Sequence, residues 1–440
     1  MIHVNSYSAD TMMNFFRRRN KDPYEQNLHE QEPQRLSRRS LLQRLGLSSL
    51  ALFIAYNLER DQPLTSEKFP SVEKLSAPAF AQLVERMFRY DRHDGQYIES
   101  IANPNDIASA WSHGQMIDLL QLAADGDVMP RAAQMLASGE DVLPNYYSDT
   151  PRTYPAGYNS EVSDELKGIE VRFVDDNLWF AEFFMQRYKQ TSDRRYLDKA
   201  NAIAELFIRS WHDSGGNGAF WQAQLKQFGV DVENRDRAVV SNAPAIPILI
   251  ELAKHYPGKS AVYIDISRKV YDWLQELRDP ETGLYFDKFQ DNGEIDKTFY
   301  PYCQAKMIDA TIALHSVDPD KYPFEEARQL FEKSIELFTS NGRLGHDASF
   351  DSMLVKSGMR LATILHDPDF TENVHQFAEQ ADRAARHHPW RLTKLYNAAG
   401  AVKLAILAEM KTSDWDSLWY TTKPVQQRNV YTPIGQNRIE

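Results

Sequence analysis

The segment APAIPILIELA, residues 243–253, is apolar around almost the whole circumference of a helix. A helix with apolar side chains on every side has to be covered on every side, so this segment predicts a helix of an inner layer. Three further stretches share its character: LWFAEFFM at 178–185, AKMIDATIAL at 305–314 and LYNAAGAVKLAIL at 395–407. The sequence therefore predicts a layer of buried helices.

A second kind of helix alternates with the first and is amphipathic. In YLDKANAIAELFIR, residues 196–209, the side chains of Tyr196, Ala200, Ile203 and Phe207 recur at i, i+4, i+7 and i+11. Such a stripe leaves the opposite face in water, which is typical of an outer layer. Beyond residue 75 we find no strand-like alternation of useful length, so we expect the body of the chain to be all-α.

In chain order the outer and inner helices form six pairs: 77–89 with 106–122, 129–139 with 175–190, 195–211 with 240–256, 260–277 with 301–316, 323–339 with 349–365, and 371–387 with 391–410. A unit of about fifty residues that cannot bury its own apolar face stacks on its neighbours. An open array would leave the concave inner helices wet. The sequence therefore predicts a closed ring of six helical hairpins, an (α/α)6 barrel, over residues 76–415.

Composition excludes several classes of partner. The formal net charge of −12 repels phosphate backbones, so we expect no nucleic acid partner. Cys303 is the single cysteine, which excludes an internal disulfide and a cysteine-based zinc site. The chain has no HExxH and no glycine-rich phosphate loop before a helix, and the pair His387-His388 is better explained as a helix cap. We expect a monomer without metal or cofactor.

The N-terminal segment, residues 1–58, contains RLSRRSLLQRLGLSSLALFIAYNL at 35–58. It resembles a twin-arginine export signal, with Ser37, Arg38, Arg39, Ser40, Leu41 and Leu42 in the pattern's places. The apolar run 45–58 is shorter than the ~20 residues of a transmembrane helix. We expect export by the twin-arginine machinery to the periplasm or the cell exterior, a linker at 59–75 and a C-terminal tail at 416–440.

Two features keep other interpretations of this segment open. A long polar stretch, residues 1–34, precedes the arginines, and the small-x-small site Ala79-Phe80-Ala81 comes some twenty residues after the apolar run. Without cleavage, residues 45–58 would remain as a membrane anchor. The alternative is a cytoplasmic protein whose basic N-terminal helix packs on the domain.

The block VRFVDDNLWF, residues 171–180, places Asp175 and Asp176 at the start of the most aromatic inner helix. One aspartate suffices to cap a helix. Two acids followed by Asn177 and Trp179 put paired carboxylates beside an aromatic ring, as glycoside hydrolysis requires. Polar and aromatic residues at equivalent places in other repeats are predicted to line the same mouth and bind substrate: Trp111, His113, Trp221, Asn242, Asp287, Tyr300, Tyr302 and Gln304.

These blocks resemble glycoside hydrolase family 76, the endo-acting α-1,6-mannanases, in order from about residue 77 to residue 410. The matching motifs are DDNLW, WHDSGGNGAFW, AVVSNAPAIPILIELA, GLYFDKF and DKTFYPYCQAKMIDA. The resemblance implies an (α/α)6 barrel and a retaining enzyme with Asp175 as nucleophile and Asp176 as acid/base. The chain departs from the family pattern at Trp179-Phe180, where a tryptophan pair is usual. It departs again at Tyr302-Cys303-Gln304, where asparagine is usual in the middle.

Three functions follow as hypotheses. The first is a retaining glycosidase that cleaves an α-mannosidic, α-1,6-mannan-like polysaccharide. The second is a carbohydrate-binding relative that keeps the barrel and the aromatic cleft without hydrolysis. The third is another (α/α)6 sugar enzyme, such as an uronyl hydrolase or an epimerase, although an epimerase would use histidines as proton carriers.

Overall fold

The computed structural model describes residues 72–90, 95–148, 157–162, 169–210, 223–227, 230–234, 236–345, 347–387 and 389–420. Over these ranges its α-helices are α1 Ala77–Phe88, α2 Ala110–Asp125, α3 Ala132–Asp141, α4 Val174–Thr191, α5 Arg194–Ser210, α6 Val239–Asn242, α7 Ala245–His255, α8 Ser260–Leu274, α9 Pro301–His315, α10 Phe324–Ser340, α11 Ala348–Leu365, α12 Pro368–Arg386 and α13 Leu395–Glu409. Helices α1, α3, α5, α8, α10 and α12 are the outer members of six pairs. The short α6 and α7 together form one inner member.

The inner helices close into a ring. Helix α2 packs on α4, α4 on α7, α7 on α9, α9 on α11, α11 on α13, and α13 returns to α2. The six predicted pairs and the (α/α)6 barrel are therefore confirmed. The third inner helix is divided because Pro244 and Pro247 lack the N–H groups that a continuous helix needs, and α7 begins directly after Pro244.

Short antiparallel strands occupy the connections that lead from outer to inner helices. They are β1 Ile98–Ser100, β2 Asn103–Ile107, β3 Tyr147–Ser148, β4 Gly157–Tyr158, β5 Ile169–Phe173, β6 Ala223–Gln227, β7 Val230–Asn234, β8 Arg237–Ala238, β9 Phe286–Phe289 and β10 Ile295–Phe299. Strands β5, β6 and β7 form one sheet, and β9 lies between β8 and β10 in another. The prediction of a body without strands was wrong, because runs of two to five residues are too short to show alternation.

Charged side chains cross the interior of the ring, although the inner helices were predicted to be apolar on nearly every side. We call this set the charged belt: Asp118, Glu182, Lys306, Asp309, Lys356, Arg360 and Lys403. Lys356 and Lys403 both lie 2.9 Å from the carboxylate of Asp118. Burial favours the neutral acid, yet these two lysines hold the pKa of Asp118 well below its usual range.

The C-terminal ends of the inner helices are covered by the last described residues. A 3₁₀ helix at Thr412–Leu418 packs on α11, and Trp415 is buried. Lys189 donates hydrogen bonds to the carbonyl oxygens of Asp416 and Trp419. The guanidinium of Arg360 lies 4.4 Å from the ring centroid of Trp419. We therefore expect the binding site at the opposite end of the barrel, where the strands lie.

No helix within the described ranges combines the length and apolarity needed to cross a bilayer. The twin-arginine-like segment at 35–58 lies outside those ranges.

Gly400 permits the close approach of α13 to α11. A Cβ atom at this position would lie 2.2 Å from the backbone nitrogen of Ser349. We expect Gly400→Ala to lower the free energy of unfolding by about 1–3 kcal/mol, because the backbone clash outweighs the ~1 kcal/mol by which alanine favours a helix. Urea denaturation measures the difference. Gly258→Ala is the matched control, since its Cβ would meet nothing within 4 Å, and an equal effect in both variants would contradict the proposed clash.

Candidate active site

Asp175 and Asp176 occupy the first turn of α4, immediately after β5. The N-cap position belongs to Phe173, so neither acid is the N-cap residue. Strand β5 is held by Arg172, whose Nε donates to the Oδ1 of Asn159 at 3.0 Å. The positive end of the helix dipole favours carboxylates here. Capping alone therefore does not account for the pair.

The two carboxylates have different surroundings. Asp176 is 6% exposed, and its Oδ2 accepts a hydrogen bond of 2.6 Å from the hydroxyl of Ser160. Asp175 is partly exposed, and its buried Oδ1 accepts no hydrogen bond from any described residue. Asp175, Trp179 and Glu182 are spaced i, i+4 and i+7, so they share one face of α4. Asp175 thus lies on the face of α4 that carries Trp179, with one carboxylate oxygen buried and without a hydrogen bond from the described residues.

A third acid, Asp287 of β9, contributes to the electrostatics of Asp175. Burial, assisted by the negative charge of Asp287, raises the pKa of Asp175 to about 6, against the opposing effects of backbone hydrogen bonds and of the charge of Lys288. The carboxylate of Asp287 accepts a hydrogen bond of 2.7 Å from the hydroxyl of Tyr302. Burial also raises the pKa of Asp287 to about 6. Lys288 forms an ion pair of 3.1 Å with Asp236 and also opposes the raised pKa values of Asp175 and Asp287.

Aromatic rings from four inner helices meet beside Asp175. The ring centroids of Trp111 and Trp179 lie 5.3 Å apart. Tyr300 stacks on Tyr302, with centroids 5.1 Å apart and 14° between the ring planes. Phe350 joins the two groups, at 4.3 Å from Tyr302 and 6.2 Å from Trp111. The structure therefore brings the predicted residues Trp111, Trp179, Tyr300 and Tyr302 together. It adds Phe350, which was missed although Phe350 lies in the first turn of α11, as Trp111 does in α2.

The side-chain amides of the predicted residues Asn177, Asn242 and Gln304 form hydrogen bonds with the backbone of the segments that precede the inner helices. Asn177 accepts a hydrogen bond from the N–H of Tyr158 and donates to its carbonyl oxygen, both at 2.9 Å. Gln304 makes the same two-way contact with the backbone of Tyr285, at 2.8 Å each. Asn242 donates to the carbonyl oxygen of Ala238 at 2.8 Å. These bonds fix the strands on the helix starts, and a contact of the amides with substrate stays a prediction.

His113 lies in the core and contacts neighbours other than the two acids. It is fully buried between Tyr97 and Tyr146, and its Nε2 lies 2.9 Å from the carbonyl oxygen of Gly139. Burial lowers its pKa to about 4, so the ring is neutral near pH 7. Trp221 lies outside the described residues. The described part of the chain contains no group of three His, Cys, Asp or Glu residues placed to hold a metal ion.

An (α/α)6 barrel with adjacent carboxylates beside an aromatic cleft is an arrangement suited to a glycoside hydrolase. The model of glycosyl hydrolase family 76 matches residues 139–403, which is more than half of the chain. The chain belongs to this family.

Solved structures share the fold at low sequence identity. An α-mannanase of this family from Bacteroides thetaiotaomicron, BT2949, superposes with a TM-score of 0.60 at 14% identity, over 77% of this chain and 97% of that chain. An inactive variant of the α-1,6-mannanase GH76A of Salegentibacter sp. HEL1_6 has two adjacent aspartates replaced by asparagine and is in complex with α-1,6-mannotriose. It gives a TM-score of 0.56 at 18% identity, over 76% of this chain and 97% of that chain.

A curated relative matches over a shorter stretch. The mannan endo-1,6-alpha-mannosidase DFG5 of Candida albicans is 25% identical over 125 residues, which are 28% of this chain and 25% of that protein. The chain therefore matches a quarter of the length of this relative.

The burial of Asp175 predicts a stability cost that depends on pH. Its folded pKa of about 6 lies above the usual 3.8, so its charged form is disfavoured in the fold, and its contribution to stability is lost as the pH rises from 3.8 to about 6 and is level above that. We expect Asp175→Asn to raise the free energy of unfolding by about 1–2 kcal/mol near pH 8 and to change it little near pH 4. Urea denaturation at the two pH values measures this. Asp265→Asn, at an exposed position, is the control. A gain that is equal at both pH values would refute the assignment to charge.

Proposed function

We propose that the protein is a retaining glycoside hydrolase that cleaves α-mannosidic, α-1,6-mannan-like polysaccharide. The observation that carries the proposal is the pair Asp175 and Asp176 at the start of α4, with one unbonded oxygen of Asp175 beside the cluster of aromatic rings. Retaining hydrolysis needs one carboxylate to attack the anomeric carbon and one carboxylic acid to protonate the leaving oxygen.

In this mechanism Asp175 is the nucleophile and Asp176 the acid/base. Asp176 protonates the glycosidic oxygen while the free oxygen of Asp175 bonds to the anomeric carbon. Water then attacks the anomeric carbon, the bond from this carbon to Asp175 breaks, and Asp176 takes up the proton of the water. Ser160 orients Asp176 through the hydrogen bond of 2.6 Å. Because Asp175 has to be ionised, we expect the rate to fall on the acidic side of its raised pKa of about 6.

The aromatic residues supply the surface on which sugar rings bind. Trp111 and Trp179 are two adjoining rings, and the stacked Tyr300 and Tyr302 join them through Phe350. Sugar rings stack their C–H groups on such faces. The mannotriose complex of the Salegentibacter variant supports an α-1,6-linked mannan as the substrate class.

The alternatives make different demands on the same cleft. A carbohydrate-binding relative would use the aromatic rings alone and would not require the two acids to act. An uronyl hydrolase remains an alternative among (α/α)6 sugar enzymes. An epimerase would use histidines as proton carriers, whereas His113 is buried against the carbonyl oxygen of Gly139.

Substitution of the two acids separates these functions. We expect Asp175→Asn to abolish release of reducing ends from α-1,6-mannan, and Asp176→Asn to slow natural mannan more than aryl mannosides with good leaving groups. Asp265→Asn, on the surface, should leave the rate unchanged. Reducing-sugar assays and circular dichroism measure activity and fold. Full activity of a folded Asp175→Asn protein would exclude the proposed nucleophile, and glycan binding without turnover in the wild type would favour the binding relative.

For localisation, we propose export through the twin-arginine route, with residues 45–58 remaining as a membrane anchor. Arg38 and Arg39 followed by the apolar run support the route. The small-x-small site at 79–81 lies inside α1, where Phe80 and Ala81 are buried. Cleavage after Ala81 would remove the first five residues of α1, more than one helical turn. An uncut signal is the form that keeps this helix whole.

Cell fractionation tests the export proposal. We expect the wild-type chain to be found in the membrane fraction, accessible from outside the cytoplasm and at its full length. The variant Arg38→Lys with Arg39→Lys should be retained inside, because the twin-arginine machinery reads both guanidinium groups. The variant Arg17→Lys with Arg18→Lys, which changes an arginine pair outside the motif, is the matched control. Export that survives the loss of Arg38 and Arg39 would contradict the route.

A further inference from the structure

Trp179 lies one helical turn below Asp175 and faces the interior of the barrel. It is 8% exposed, and its Nε1 donates to no acceptor among the described residues. A polar edge of this kind is ordinarily bonded when it is buried. The ring is therefore fixed by contacts with its faces rather than by a hydrogen bond.

A lysine from another helix occupies one face of this ring. The Nζ of Lys306 lies 4.3 Å from the ring centroid of Trp179, which is within the range of a cation–π interaction. Lys306 is 4% exposed. Because α9 is separated from α4 by α7 in the ring, this contact reaches across the interior of the barrel.

The ammonium group of Lys306 is held by Glu182. It donates hydrogen bonds of 2.8 Å to both carboxylate oxygens of Glu182, whose side chain is 18% exposed. A buried ammonium without an acid partner is costly, so Glu182 fixes Lys306 in this place. Glu182 and Trp179 lie on the same face of α4, one turn apart. Lys306 therefore contacts two side chains of α4 at once, the indole of Trp179 and the carboxylate of Glu182.

We propose that Lys306 is a positioning residue, which with Glu182 holds the indole of Trp179 as the stacking platform of a sugar subsite beside Asp175. The inference rests on the proposed function for the identity of the sugar. Trp111 packs against the same indole, with ring centroids 5.3 Å apart, and the proposed sugar contact is to the part of the indole edge and face that these two neighbours leave uncovered. Lys306 touches no reacting atom in this arrangement. Its loss therefore affects binding of the glycan more than the chemical step.

The test removes both charges while it keeps side-chain volume. We expect the variant Lys306→Met with Glu182→Gln to raise KM for α-1,6-mannotriose about five- to tenfold and to leave kcat within about twofold. Lys306→Arg keeps a cation over the ring and should restore KM to within about twofold of the wild type. The matched control is Lys321→Met with Asp272→Asn. This pair has the same arrangement over Tyr322 but is exposed, and it should change neither constant.

A second measurement needs no glycan. The fluorescence difference between each protein and its Trp179→Phe form reports the surroundings of Trp179, and we expect this difference spectrum to shift to longer wavelength in the charge-free variant. An unchanged spectrum, or an unchanged KM, overturns the proposal. If the wild type does not hydrolyse mannan, the proposed function fails. The fluorescence result then decides by itself whether Lys306 and Glu182 hold the indole of Trp179. If the double variant does not fold, Glu182→Gln alone is measured in the same way.

Discussion

The structure depends on mutual neutralisation of charges inside a closed ring of helices. A charge removed from water costs several kcal/mol unless a partner of opposite sign compensates it. In the charged belt each acid has at least one cation from another helix, and Asp118 has two, Lys356 and Lys403. Lys403 also donates to Gln115 at 2.7 Å. These bonds join the last inner helix, α13, to the first, α2. The seam that closes the barrel is thus fixed by directional polar contacts as well as by apolar packing, and the contacts set the register of the helices.

The belt and the C-terminal segment also determine which end of the barrel is open. At one end Lys189 and Arg360 hold the chain around Trp419. At the other end, the connections that lead into the inner helices α2, α4, α6 and α9 contain short strands. Buried amides pin these strands to the helix starts, as Asn177 does for β4. The first turns of the inner helices therefore lie at the end of the barrel that carries the strands, and Asp175 and Asp176 belong to one of these turns.

The sequence predicted the parts of this architecture that repeat over many residues. Six helix pairs follow from apolar periodicity over stretches of more than ten residues, and the acids follow from their place at the start of an inner helix. The strands could not be predicted because they are two to five residues long. The charged belt was missed because five of the six inner helices contribute only one or two charges each to it, too few to alter an apolar pattern. A visible signal existed in α4, where Asp175, Trp179, Glu182, Gln186 and Lys189 repeat at helical spacing.

The roles of individual polar groups depend on contacts between distant segments, which the sequence does not show. His113 has the residue type of a site histidine, but its partner is the backbone of Gly139, which chain order does not bring near. Asp287 was predicted as a ligand of the substrate. In the fold the charge of Asp287 also helps to raise the pKa of Asp175, in the same direction as the burial of Asp175 itself. Lys288 is the cation close to these acids, and it is shared with Asp236. Asp175 and Asp287 have raised pKa values of about 6, and so has Asp309 of the belt in spite of Arg360 and Lys306, so a nearby cation offsets the cost of burial only in part. Asp118, with two lysines at 2.9 Å, is the belt acid whose pKa lies below its usual range.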